Sequence, residues 1–157
     1  MHSTTPMVSP SKKMLWTGRI LSGAVVVFML MDGVMHLTRI DPVVQAFAQL
    51  GFPLTLAVGL AIVELVSTLL YLYPRTSILG AILLTAYLGG AVATHLRVGS
   101  PLFGETLFPV YVGILLWGGI YLREPRLHVL LPLTGTPVRR GQASNLSAGQ
   151  AAVAPQH

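Results

Sequence analysis

The chain has 157 residues and a formal net charge of +5; 53% of it is hydrophobic, only 10% is charged, and its mean hydropathy is +0.70. So few charges cannot cover that much apolar surface in water, which excludes an ordinary soluble domain. The basic balance is no nucleic-acid footprint, because lysines and arginines sit at segment ends with no basic stripe interleaved with aromatics, and the lack of cysteine excludes disulfides, thiolate nucleophiles and Cys-ligated metal centres.

Residues 1–13 read as a flexible Ser/Thr/Pro segment ending in Lys12 and Lys13. The apolar run at 15–37 is longer than the roughly 7–15 residues of a signal-peptide core and lacks a small-x-small cleavage site, which predicts a retained first helix. Asp41 as N-cap and Pro42 in the first turn then predict a helix, with Val43, Val44, Phe47 and Leu50 on one face and Gly51 as the stop. This would be a short helix lying in the interface of the first outer loop.

Further apolar runs occupy 54–73, 76–96 and 107–122. A span needs about 20 residues at about 1.5 Å each, so the first three runs qualify and the fourth is short unless it begins near Leu102, drawing Glu105 to the bilayer edge. Pro74 and Arg75 leave room only for a tight hairpin between the second and third. From Thr134 the Gly/Ala/Ser/Gln/Pro composition predicts a disordered tail over 134–157. The expected fold is all-α, a transmembrane four-helix bundle within 14–133.

Lys12, Lys13, Arg19, Arg75, Arg123, Arg126, Arg139 and Arg140 fall on one side of these spans and Arg39 and Arg97 on the other, eight against two. The richer side is the cytoplasmic one, so both termini are expected there. Trp16, Tyr71, Tyr73, Trp117 and Tyr121 fall at the same interface, as anchoring aromatics do.

Helical periodicity assigns the inward faces. Gly18, Val25, Met29, Asp32 and His36 share one face of the first run, and Ala57, Ala61, Glu64, Thr68 and Tyr71 one arc of the second. Ala81, Thr85, Gly89 and Ala93 recur every fourth residue in the third, a small-residue stripe expected to pack closely on another helix.

Ionisable groups inside a bilayer are costly, which makes Asp32, His36, Glu64, His95 and Arg97 the candidate polar site. Asp32 and His36, four residues apart, can form a local pair that orders the helix end, or face a polar pocket opening outward; an Asp32–Arg97 bridge is a second structural reading. Glu64 lies about 15 Å deep and is expected to carry a proton, with Thr85 as its hydrogen-bond partner, either as an interhelical lock or as a proton- or ligand-binding group. His36 and His95 at one level permit a bis-histidine haem, but no orienting partners can be read for it. Zinc on Asp32, His36 and Glu64 is disfavoured by a depth difference of about 7.5 Å between the carboxylates. No resident cofactor or metal is therefore expected.

Gly33-Val34-Met35-His36-Leu37-Thr38, Leu50-Gly51-Phe52-Pro53, Glu64 and Gly89-Gly90-Ala91-Val92-Ala93-Thr94-His95, in that order, resemble the DoxX-like membrane proteins. The resemblance covers about 15–122; it departs at His36, where the family often carries lysine. It implies a four-helix inner-membrane bundle, in a family named after a subunit linked to quinone-dependent sulfur oxidation. A quinone ring fits an apolar bundle holding Asp32, His36 and Glu64, and a partner subunit would supply the electron carrier. The competing expectation is a non-catalytic assembly or small-molecule-binding protein whose polar residues only lock the helices. The lipid bilayer is the expected partner, nucleic acid is not, and an oligomer remains open.

Overall fold

In a computed structural model of the protein, residues 11–124 and 127 are described. The flexible segment expected before Ser11, residues Arg126, Arg139 and Arg140, and the expected disordered tail lie outside them. All regular structure among the described residues is helical: α1 (Lys12–Thr38), α2 (Asp41–Gln49), α3 (Leu56–Leu72), α4 (Ser77–Val98), a π-helical turn (Leu102–Thr106) and α5 (Phe108–Arg123).

The helix ends follow local chemistry. Ser11 caps α1, its hydroxyl accepting from the Met14 N–H at 3.3 Å, as a serine just before an apolar run should. The helix closes on Arg39, held in the left-handed region at φ 49°. The cap of α2 is Ile40, which offers no side-chain bond, and Asp41 already lies inside the first turn. Asp41 is therefore not the cap; it acts instead as an acidic first-turn residue beside Pro42, where the helix dipole favours it. Of the apolar face expected in α2, Val43 and Phe47 are buried while Val44 is exposed. Val43 and Phe47 pack with Ala57, Met35 and Phe52, so α2 folds back over the ends of α1 and α3.

α1 packs on α3 and α5, and α4 packs on the same two helices. Neighbours run in opposite directions: Ser22 near the start of α1 meets Tyr71 near the end of α3 at 2.9 Å, and the Phe28 ring meets Phe108 at the start of α5 with centroids 5.4 Å apart. Lys12, Lys13, Arg19, Arg75 and Arg123 consequently gather at one end of the helix group, and Arg39 and Arg97 at the other. Val25, Met29, Leu84, Leu116 and Ile120 fill the centre. Tyr71 is fully buried among them, and its hydroxyl is satisfied by donating to Leu116 O at 2.9 Å.

Among the described residues, three stretches are long and apolar enough to cross a membrane: Lys12–Thr38, Ser77–Val98 and Leu102–Arg123, of 27, 22 and 22 residues. The sequence places the weak span fourth, but the π-helical turn extends α5 backward through Glu105 and makes up its length. The short one is α3, whose 17 residues reach about 26 Å against a hydrocarbon core of about 30 Å.

The expected small-residue stripe does not pack as a stripe. Ala81 is fully buried, but Thr85, Gly89 and Ala93 are exposed, and nothing within 4 Å would meet a Cβ on Gly89. A four-residue repeat advances about 40° per step around a helix of 3.6 residues per turn, so Ala93 is rotated about 120° from Ala81. The packed line of α4 is instead Ser77, Gly80, Ala81, Leu84 and Leu88. The close approach is at Gly80, where a Cβ would run into the backbone of Leu70 and Tyr71.

Candidate functional site

Ala57, Ala61, Glu64, Thr68 and Tyr71 are all fully buried, so the arc of α3 that carries its carboxylate faces the helix group. On α1 the adjoining face is Gly18, Val25 and Met29, all buried, followed by the partly exposed Asp32 and His36. Gly33 controls how near these faces come: a Cβ there would stand 2.7 Å from Leu65 Cγ. Without that side chain α3 settles against α1, and Glu64 reaches His36.

The resulting cluster is compact. His36 Nδ1 lies 3.4 Å from Asp32 Oδ2 and 3.7 Å from Glu64 Oε2, and it is 3.0 Å from the Asp32 carbonyl oxygen. The depth difference read from the sequence does not separate these groups, for one potential donor atom from each of Asp32, His36 and Glu64 lies within 4.8 Å of the others. Helical rise counts backbone positions, whereas an Asp and a Glu side chain leaning toward each other across an antiparallel pair close several ångströms. Glu64 is fully buried; Tyr87 of α4 donates to its Oε2 at 3.0 Å, and its Oε1 has no hydrogen-bond partner.

Thr85 is not the partner of Glu64. Its hydroxyl donates to Ala81 O at 2.7 Å and accepts from Trp117 Nε1 at 2.8 Å, on the α5 side of α4. Tyr87, two residues on, points the other way. A sequence signal for it existed, since Tyr87, Ala91 and His95 stand four residues apart on one line of α4.

A cavity of about 750 Å³ opens beside the cluster, bounded by Phe28, Asp32, His36, Phe47, Tyr87 and His95 among others. Helix α2 supplies one wall through Ala46, Phe47 and Gln49, and the His36 and Phe47 rings meet edge to face at 5.8 Å. His95 lines the same cavity from a different cluster: its Nδ1 is 3.0 Å from Ser100 Oγ and 3.7 Å from Glu105 Oε2 on the π-helical turn. The two histidines are thus engaged with separate partners. Arg97 takes no part in either cluster, and the Asp32–Arg97 bridge is not formed. Its guanidinium bonds to the Leu50 carbonyl and stacks over the Phe52 ring at 5.4 Å, tying the α2–α3 connection to the end of α4.

This site combines an apolar, aromatic chamber of ligand size with a carboxylate–imidazole–phenol wall. Among the described residues, Asp32, His36 and Glu64 are placed so that they could hold a metal ion, and the free edge of the His36 ring can hydrogen-bond a molecule in the chamber.

No curated protein and no solved structure matches the chain. The model of the DoxX-like family does match, over residues 20–119, a stretch that holds Asp32, His36, Glu64, Tyr87 and His95. With that match over most of its length and, among the described residues, three helical stretches apolar and long enough to span a bilayer, the chain belongs to the DoxX-like family and is an integral membrane protein.

Proposed function

We propose that the protein is a four-crossing inner-membrane bundle with both termini in the cytoplasm, and that it serves a membrane redox complex by binding quinone. The observation that carries this reading is the cavity of about 750 Å³, within the roughly 300–1,000 Å³ of small-molecule sites. Phe28, Phe47 and Phe108 supply apolar and aromatic surface for a ring, and the free edge of the His36 ring supplies a polar group for one of its oxygens. Converting a quinone to its quinol adds two electrons and two protons, one proton to each ring oxygen. A redox-active partner subunit supplies the electrons, and Asp32, His36 and Glu64 pass the protons from solvent to the ring oxygens. The charge division supports the orientation: Lys12, Lys13, Arg19, Arg75 and Arg123 share one end of the helix group, and that end would face the cytoplasm.

Binding of a short-chain ubiquinone to the purified protein in detergent, by equilibrium dialysis, tests the reading. Saturable binding is expected, weakened at least tenfold in Ala91→Phe, which fills the chamber while helicity stays unchanged. No saturable binding, or equal binding by that variant, refutes it.

One observation favours a second reading, a non-catalytic assembly or accessory protein. His36, Glu64 and Tyr87 join α1, α3 and α4 through a single carboxylate, the form of an interhelical lock. Glu64→Gln separates the two: retained helicity and thermal stability with lost substrate-driven quinone reduction in membranes sinks the lock, whereas collapse of the fold favours it.

A further inference from the structure

Asp32 and Glu64 are two carboxyl groups with a single imidazole, His36, between them. Among the described residues, His36 is the ion-pair partner of both carboxylates and no lysine or arginine pairs with either. The arginine at the same end of α4, Arg97, is committed to Leu50 and Phe52. Glu64 is fully buried, and its Oε1 is the one buried side-chain nitrogen or oxygen without a partner among the described residues. A carboxyl pair at such a place is neutralised either by protons or by a bound cation.

We propose that Asp32, His36 and Glu64 bind a divalent transition-metal ion, zinc by the character of the donor set, at the wall of the cavity. A divalent ion with two carboxylates and a neutral imidazole makes a cluster of zero net charge, the condition a low-dielectric site favours. Donors bound at about 2.1 Å in a tetrahedron stand about 3.4 Å apart; His36 Nδ1 is 3.4 Å from Asp32 Oδ2 and 3.7 Å from Glu64 Oε2, all three residues bring a donor atom within 4.8 Å of the others, and an ion on Nδ1 would replace its hydrogen bond to the Asp32 carbonyl oxygen. The unpartnered Oε1 gives Glu64 a second oxygen with which to chelate. Tyr87, bonded to Oε2, orients that carboxylate as outer partners of metal ligands do.

Three protein ligands leave the fourth position of a tetrahedral ion to a water or a bound molecule, and because Asp32 and His36 line the chamber, that position faces it. Such an arrangement is the open form of zinc site. Three side chains, one of them an imidazole, fall short of the six to eight oxygens that calcium takes, and magnesium favours an all-oxygen octahedron. The ion bridges α1 and α3 directly and α4 through Tyr87.

Metal content of the chelator-stripped protein after incubation with Zn²⁺ and desalting, with calorimetric titration, tests this without any quinone present. One ion per chain is expected, with affinity at least a hundredfold weaker in Asp32→Asn and in Glu64→Gln and unchanged in His95→Gln. Asp32 is the less buried of the two carboxylates, so its variant reports even where Glu64→Gln fails to fold. Stoichiometric uptake of Mn²⁺ in place of Zn²⁺, lost in the same variants, also supports the site. No stoichiometric uptake, uptake untouched by Asp32→Asn, equal loss in His95→Gln, or preference for Ca²⁺ or Mg²⁺ overturns it. Quinone binding by the stripped protein is measured separately, so failure of either proposal leaves the other standing.

Discussion

Tyr87 donates its phenolic proton to Glu64 Oε2 at 3.0 Å and so joins α4 to α3 through a carboxylate whose other oxygen has no partner. Tyr87→Phe keeps the ring that packs against the core and removes only that bond. Interhelical hydrogen bonds in membranes average about 0.6 kcal/mol and rarely exceed about 1.7; stranding a buried acceptor costs about 1–3 kcal/mol. The expected loss is about 1.5 kcal/mol, read from unfolding in mixed detergent with increasing sodium dodecyl sulfate. An unchanged unfolding midpoint would mean that the bond does not contribute.

Gly80 and Gly89 should respond very unequally to the same substitution. A Cβ on Gly80 meets the backbone of Tyr71 and Leu70, while one on Gly89 meets nothing within 4 Å. Backbone cannot rotate aside as a side chain can, so Gly80→Ala should cost about 3 kcal/mol, the upper part of the overpacking range. Gly89→Ala should change stability by no more than about 0.5 kcal/mol. Thermal denaturation of the two variants in one detergent decides it; equal shifts would mean that α4 packs on its small-residue stripe after all.

At the opposite end of the helix group the Tyr71 hydroxyl meets Ser22 Oγ and Leu116 O, each at 2.9 Å, and the Arg123 guanidinium stacks on the Tyr71 ring at 4.9 Å. One phenol thereby links α1, α3 and α5. Ser22→Ala and Tyr71→Phe should be non-additive, because the second removes the partner that the first leaves behind. A coupling of about 0.5–1 kcal/mol is expected in a double-mutant cycle, and strict additivity would show that Ser22 and Tyr71 act independently.

The buried faces of α1 and α3 were legible because periodicity directly reports which residues share a side of a helix. Ala57, Ala61, Glu64, Thr68 and Tyr71 on one arc, and Val25, Met29, Asp32 and His36 on another, need only about 100° per residue. What periodicity cannot report is the rotation of one helix against its neighbour. The regular spacing of Ala81, Thr85, Gly89 and Ala93 therefore pointed to the wrong face of α4, and with it to Thr85 rather than Tyr87. Helical rise likewise overstates the separation of Asp32 and Glu64, since depth along an axis ignores side-chain reach and the close approach that Gly33 permits. The chamber depends on α2 folding back so that Phe47 closes a wall, a tertiary event for which a nine-residue amphipathic helix leaves no local mark.

Arg39 offers a prediction about backbone alone. It ends α1 at φ 49° and ψ 47°, the left-handed conformation that costs a residue with a Cβ about 1–2 kcal/mol and that helix ends ordinarily assign to glycine. Gly51 and Gly99, at φ 69° and φ 72°, fill the corresponding roles after α2 and α4. The Arg39 side chain is exposed, so its removal takes little packing away. Arg39→Gly should relieve the strain, partly offset by the greater freedom of glycine in the unfolded chain, about 0.4–1 kcal/mol. A net stabilisation of about 0.5–1 kcal/mol is expected. Gly99→Ala should destabilise by a similar amount, since it introduces the same strain. Because Arg39 lies on the arginine-poor side, its loss steepens the charge asymmetry, and cysteine-accessibility labelling of single-Cys variants should report the same topology before and after. A lower melting temperature for Arg39→Gly would mean that the arginine holds the end of α1 through its side chain, so the sign of one shift distinguishes a strained cap from an anchoring one.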